Sequence, residues 1–142
     1  MRRIGCYCLQ IGRYFISQAW LVRLSDAQKQ FAYHAGCLLV HIGTVPNVSC
    51  TLGDAFRDSR VHGKYGEKKS YSSKNSDHKR RLAIDLNLFI DEIYQTTTEA
   101  HRPYGEYWEA LHPDNYWGGN ILDENGNPDG NHYGRHWPGN NQ

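Results

Sequence analysis

A chain of 142 residues bounds the answer to one compact domain, which at this size buries roughly 70% of its unfolded surface without disulfide staples. Its 39% hydrophobic, 22% charged and 13% aromatic residues exclude disorder and low-complexity architectures. Net charge is only +1, and no apolar run of about 18 residues exists to span a membrane.

Met1 to Val22 carries basic residues but is interrupted by Gln10, Arg13 and Gln18. It lacks the apolar stretch and cleavage site of a signal peptide, so synthesis and folding in the cytoplasm are expected. The domain is read as spanning 1–142, with 1–23 as an N-terminal extension. Cys6, Cys8, Cys37 and Cys50 are expected as thiols, since the lone Cys6-x-Cys8 lacks a second pair for a metal site.

Leu24 to Ile42 reads as a helix. Ser25 and Gln28 suggest a capping box, Asp26 suits the first turn, and Gly43 offers a stop. Ala27, Phe31, Ala35, Leu38 and Ile42 form one helical stripe, and His34 and His41 share a face as structural histidines. Val48 to Leu52 predicts a short strand that Ala55-Phe56-Arg57 continues. From Phe56 to Arg81 there are nine Lys or Arg against three acids; from Leu82 onward there are two against ten. The basic block is interleaved with Gly, Ser and Tyr, which is the composition of a solvated loop rather than a nucleic-acid surface.

Leu82 to Ile90 alternates as the clearest strand, Asp91-Glu92 is a turn signal, and Ile93-Tyr94 suits a return strand. Pro103 is expected in the first turn of a helix that carries Tyr104, Tyr107, Trp108 and Leu111 inward before Pro113 stops it. Beyond Asn115, Ile121-Leu122 and His132-Tyr133 are candidate short strands. The order of elements implies an α+β fold, a small antiparallel sheet flanked by helices.

Asp85 stands on the polar side of an otherwise apolar strand, where a carboxylate is costly unless paired, hydrogen-bonded or bound to metal. His78 precedes it by enough chain to fold back over the strand. Asp129-Gly130-Asn131-His132 supplies an acid three residues before a histidine, so one can ligate metal while the other reaches its water. The alternative pair His132 and His136 needs a helix that Gly134 and Pro138 disfavour. A calcium loop from Asp123 fails, because its sixth and twelfth positions hold Pro128 and Gly134.

Ser76-x-His78-x-x-Arg81-x-Ala83-x-Asp85 resembles the S-x-H-x-x-G-x-A-x-D signature of the zinc D,D-carboxypeptidase and L-alanyl-D-glutamate peptidase family, with Arg81 where the family has Gly. Asp129 to His132 is similar to its second motif, in the form used by phage endolysins. Thr51-Leu52-Gly53-Asp54-Ala55-Phe56-Arg57, Gly105-Glu106-Tyr107-Trp108 and Trp117-Gly118-Gly119 also resemble phage members, and the similarity covers about 24–133. The resemblance implies a D,D-carboxypeptidase/hedgehog-like fold with Zn²⁺ held by His78, Asp85 and His132. Asp129 would be the general base and Arg57 the oxyanion-stabilising cation, with Arg60 as its competitor. Ser76 would be a structural or substrate-contacting hydroxyl.

The implied activity is hydrolysis of bacterial peptidoglycan stem peptides, at L-Ala–D-Glu, by a monomer. It would be made in a host cytoplasm and act on the cell wall, without nucleic-acid partners. A D-Ala–D-Ala carboxypeptidase and a non-catalytic zinc-containing wall-binding module are the alternatives; retention of Asp129 favours an enzyme.

Overall fold

A computed structural model describes residues 23–123 and 125–139. Cys6, Cys8 and nearly all of the expected N-terminal extension fall outside that range. Cys37 and Cys50 are both part-buried, and Cys50 is a thiol.

Helix α1 (Leu24–Thr44) buries the stripe Ala27, Phe31, Ala35, Leu38 and Ile42 that its sequence spacing predicts. Its ends differ from expectation. Arg23 is the N-cap and makes no side-chain cap, while Gln28 instead donates to the Arg80 carbonyl at 2.6 Å. Gly43 does not stop the helix; the chain turns extended at Val45, whose following proline disfavours helical backbone.

Strand β1 (Val48–Leu52) leads into a coil, so Ala55-Phe56-Arg57 does not continue it. A single turn, α2 (Ser59–His62), opens the basic loop. Much of that loop is tied to itself: Lys79 Nζ donates to the Glu67 carbonyl at 2.6 Å and lies 3.5 Å from those of Lys64 and Lys74.

A 3-10 turn, Asp77–Arg80, then delivers the chain into β2 (Ala83–Ile90). The Asp91-Glu92 turn takes positive φ at both residues, as a tight hairpin requires, and returns as β3 (Ile93–Tyr94). Helix α3 (Thr98–Leu111) is capped by Thr97, whose hydroxyl accepts from the Ala100 N–H. Pro103 therefore lies inside the helix rather than in its first turn. Tyr104 and Trp108 are buried; Tyr107 and Leu111 are only partly so. Two further strands, β4 (Asn115–Trp117) and β5 (His132–Arg135), complete the sheet. Ile121 and Leu122 are exposed, and only Leu122 makes a bridge, to Pro128.

Among the described residues, the strands form one antiparallel sheet in the order β1-β2-β5-β4, with β3 beside β2. The fold is α+β, as expected. Strand alternation gives this sheet two unlike faces. Ile84, Leu86, Leu88, Tyr133 and Trp117 pack in the core beneath α1 and α3, where Phe31 meets Trp108 edge-on at 5.5 Å. His34 and His41 join that interface: His34 Nδ1 lies 3.4 Å from Arg135 Nη1, and His41 stacks on Tyr107 at 3.8 Å. The opposite face carries Ala83, Asp85, His132, Gly134 and Tyr116, because Asp85 pairs with His132 and Tyr116 with Gly134. No helix among the described residues is long and apolar enough to cross a membrane.

Candidate metal centre

Three elements meet at the front face of the sheet. The 3-10 turn is flanked by Ser76 before it and Arg81 after it, and Arg81 adopts left-handed backbone with φ 56° and ψ 39°. That reversal lets His78 fold back over β2, and its side chain is 2% exposed. Asp85 and His132 then face each other directly across β2 and β5.

Their donor atoms form a small triangle. His132 Nδ1 is 3.0 Å from Asp85 Oδ1, His78 Nε2 is 3.2 Å from His132 Nδ1, and His78 Nε2 is 3.3 Å from Asp85 Oδ1. A tetrahedral ion with bonds of about 2.0–2.1 Å has ligand-to-ligand edges of about 3.3–3.4 Å. Two imidazoles and a carboxylate at about this spacing could therefore hold a metal ion. Burial alone works against the Asp85 carboxylate, but the His132 and His78 imidazoles beside it outweigh that penalty and hold it well below the ordinary range.

The triangle opens into a cleft of about 400 Å³ also lined by Arg57, Ser76, Asp129, Tyr116 and His136. Asp129 to His132 forms a turn closed by the His132 N–H on the Asp129 carbonyl at 3.1 Å. Gly118 supports it closely: a Cβ there would sit 2.4 Å from the Asp129 carbonyl oxygen and 2.9 Å from His132 Cβ. Burial pushes the Asp129 carboxyl up from its ordinary value, against the opposing pull of His132, His78 and Arg57. A cleft carboxylate with a raised pKa is suited to accepting and returning a proton.

Arg57 is anchored rather than mobile. Its Nε and Nη2 each lie 3.1 Å from Asp54 Oδ2, and Nη1 donates to Ser76 Oγ at 3.2 Å. Ser76 Oγ, by accepting from Arg57, helps orient it. Arg60 points elsewhere: it is 88% exposed, pairs with Asp58 at 2.8 Å and does not line the cleft. His136 does line the cleft, stacked on Tyr116 at 4.4 Å, but stands outside the donor triangle. Asp123 accepts the backbone N–H groups of Asn125 and Asn127, both at 2.8 Å, so its carboxylate serves its own turn.

Sequence reasoning missed Tyr116 and Asp77. Tyr116 Oη donates to Asp77 Oδ2 at 2.8 Å and lies 3.3 Å from His132 Nε2. Burial, with the Asp77 carboxylate, pushes the phenol well above its ordinary value, so it keeps its proton. Asp77 had one available signal, its position beside His78. Tyr116 had none, because its place follows from pairing with a strand far along the chain. Comparison of the chain with protein-family models, curated proteins and solved structures gives no match.

Proposed function

We propose that the protein is a zinc-dependent peptidase of phage-endolysin type that hydrolyses peptidoglycan stem peptides, at the L-Ala–D-Glu bond. The observation that carries the reading is the convergence of His78, Asp85 and His132 at 3.0–3.3 Å in the cleft that Asp129 and Arg57 also line. The motifs around those residues, with their resemblance to the zinc D,D-carboxypeptidase and L-alanyl-D-glutamate peptidase family and its fold, supply the substrate class. The protein would work as a monomer, made in the host cytoplasm and released to the wall.

Zinc, when bound by the three residues, supplies Lewis acidity that brings the pKa of water from about 16 toward about 7 and draws charge from a carbonyl. The chain's own groups do the rest. Asp129 takes the proton of the attacking water and returns it to the leaving amine, a task its raised pKa suits. Arg57, held by Asp54 and Ser76, presents fixed positive charge to the oxygen on which charge develops. Ile121 and Leu122, exposed at the cleft wall, give a substrate's small apolar side chains a surface to rest on.

Digestion of purified peptidoglycan followed by mass analysis of new termini tests the proposal. L-Ala carboxyl ends appearing with free D-Glu amines are expected. Released D-Ala would instead assign the carboxypeptidase reaction, and a zinc-loaded protein that generates no termini would be a binding module.

A further inference from the structure

His132 turns Nδ1 toward Asp85 and His78, which leaves Nε2 to be held by something else. Nε2 lies 3.3 Å from Tyr116 Oη, and Tyr116 donates its own proton to Asp77 Oδ2 at 2.8 Å. The second Asp77 oxygen, Oδ1, accepts from Arg80 Nη2 at 2.5 Å. Arg80 is itself fixed: its guanidinium lies 4.0 Å over the Tyr65 ring and 5.5 Å from that of Trp137. Asp77 and Arg80 side chains are 12% and 10% exposed, so the chain of contacts runs mostly out of water.

The polarity of this chain is determined at one end. An ionised carboxylate only accepts, so Asp77, paired with Arg80, accepts the hydrogen bond of the tyrosine hydroxyl. Tyr116 Oη then has only lone pairs to offer Nε2, which must carry the imidazole hydrogen. In a neutral ring that leaves Nδ1 as the lone-pair donor, facing Asp85 and His78. The backbone is built to admit the phenol. Tyr116 stands opposite Gly134 in the β4–β5 register, and a Cβ on Gly134 would lie 2.1 Å from Tyr116 Cζ.

We infer that Tyr116 and Asp77 are positioning residues for the metal centre, fixing His132 as its Nε2–H tautomer and aiming Nδ1 at the ion. The inference rests on the metal-centre reading above. The two histidine ligands are unequally supported. Buried His78 Nδ1 has no hydrogen-bond partner among the described residues, so among them no hydrogen-bonded chain supports that ring from behind. Groups that orient metal-bound histidines typically contribute about 10–100-fold in metal affinity, and here that contribution falls on His132.

Tyr116→Phe removes the hydroxyl and keeps the ring against His136. Zinc affinity, measured by competition with a chromophoric chelator, should weaken about 10–100-fold while the metal-free protein still folds and unfolds cooperatively. Nitrogen NMR of the zinc-loaded wild type should find the His132 proton on Nε2. Asp77→Ala is the sharper variant, because it frees the Tyr116 hydroxyl to donate to Nε2 and drive the imidazole proton onto Nδ1. Its zinc affinity should fall at least as far as that of Tyr116→Phe. Tight zinc binding by the wild type with undiminished affinity in both variants would overturn the relay and leave the metal centre standing. A wild type that takes no zinc would overturn the metal centre itself.

Discussion

Asp129 answers two opposed demands. A carboxylate raised above its ordinary pKa by burial costs the fold stability whenever it is ionised. Because the folded state holds this proton more tightly than the unfolded chain, stability falls as pH rises from the ordinary carboxylate pKa through the raised one. Asp129→Asn should therefore stabilise the metal-free protein at neutral pH, and the gain should vanish in acid, as urea titrations across pH will read. The same variant should keep zinc and lose about 10²–10⁴-fold in turnover, the usual contribution of a positioned acid–base group. Unimpaired lysis of permeabilised cells by zinc-loaded Asp129→Asn would exclude it as the base. Arg81 carries a different strain. Its left-handed backbone explains why the signature it resembles has glycine there, and stacking at 4.0 Å on Phe56 offsets part of the cost. Arg81→Ala and Arg81→Gly both lose that stacking, so their difference isolates the backbone, and glycine should be the more stable by about 1 kcal/mol. Equal midpoints in urea would remove the strain.

The elements legible in the sequence are those whose signal is local and repeated. Helix α1 and strand β2 show their periods over many residues, and the Asp91-Glu92 turn between β2 and β3 needs only its own pair. Strand β4 has three residues and no period; it is held by distant groups, such as Trp108 Nε1 on the Tyr116 carbonyl at 3.1 Å and the Trp117 N–H on Glu109. The residues of the donor triangle were legible because their spacing within each motif is short, whereas the Tyr116 contact depends on the β4–β5 register. Helix α3 was misplaced because proline outweighed the better start signal, the threonine run ending in Thr97 and Thr98. As the sixth helical residue, Pro103 removes the N–H that would reach the Glu99 carbonyl, and it is solvent-exposed. Pro103→Ala should raise stability by about 1–2 kcal/mol after allowing for the freer unfolded chain. A lower denaturation midpoint would show instead that α3 needs the bend.

Across the whole molecule the donor triangle joins the 3-10 turn, β2 and β5, so an ion there adds a cross-link that the unfolded chain lacks. Zinc at a hundredfold excess over its dissociation constant should stabilise the fold by about 2.7 kcal/mol, and chelation should reverse it. His78→Ala should abolish that response while His136→Ala keeps it, which differential calorimetry with and without zinc will resolve. Zinc stabilisation persisting in His78→Ala would put the ion elsewhere. The ligands also lie far apart along the chain: His78 and His132 are 54 residues apart, and Asp85 and His132 are 47. Their donor atoms cannot meet until β5 has docked on β2, an entropically expensive closure. Zinc bound there would act as a latch that falls only after the door has shut. It should slow the escape from the native state while leaving the speed of reaching it untouched, so stopped-flow traces with and without zinc should share a refolding limb and part company on the unfolding one.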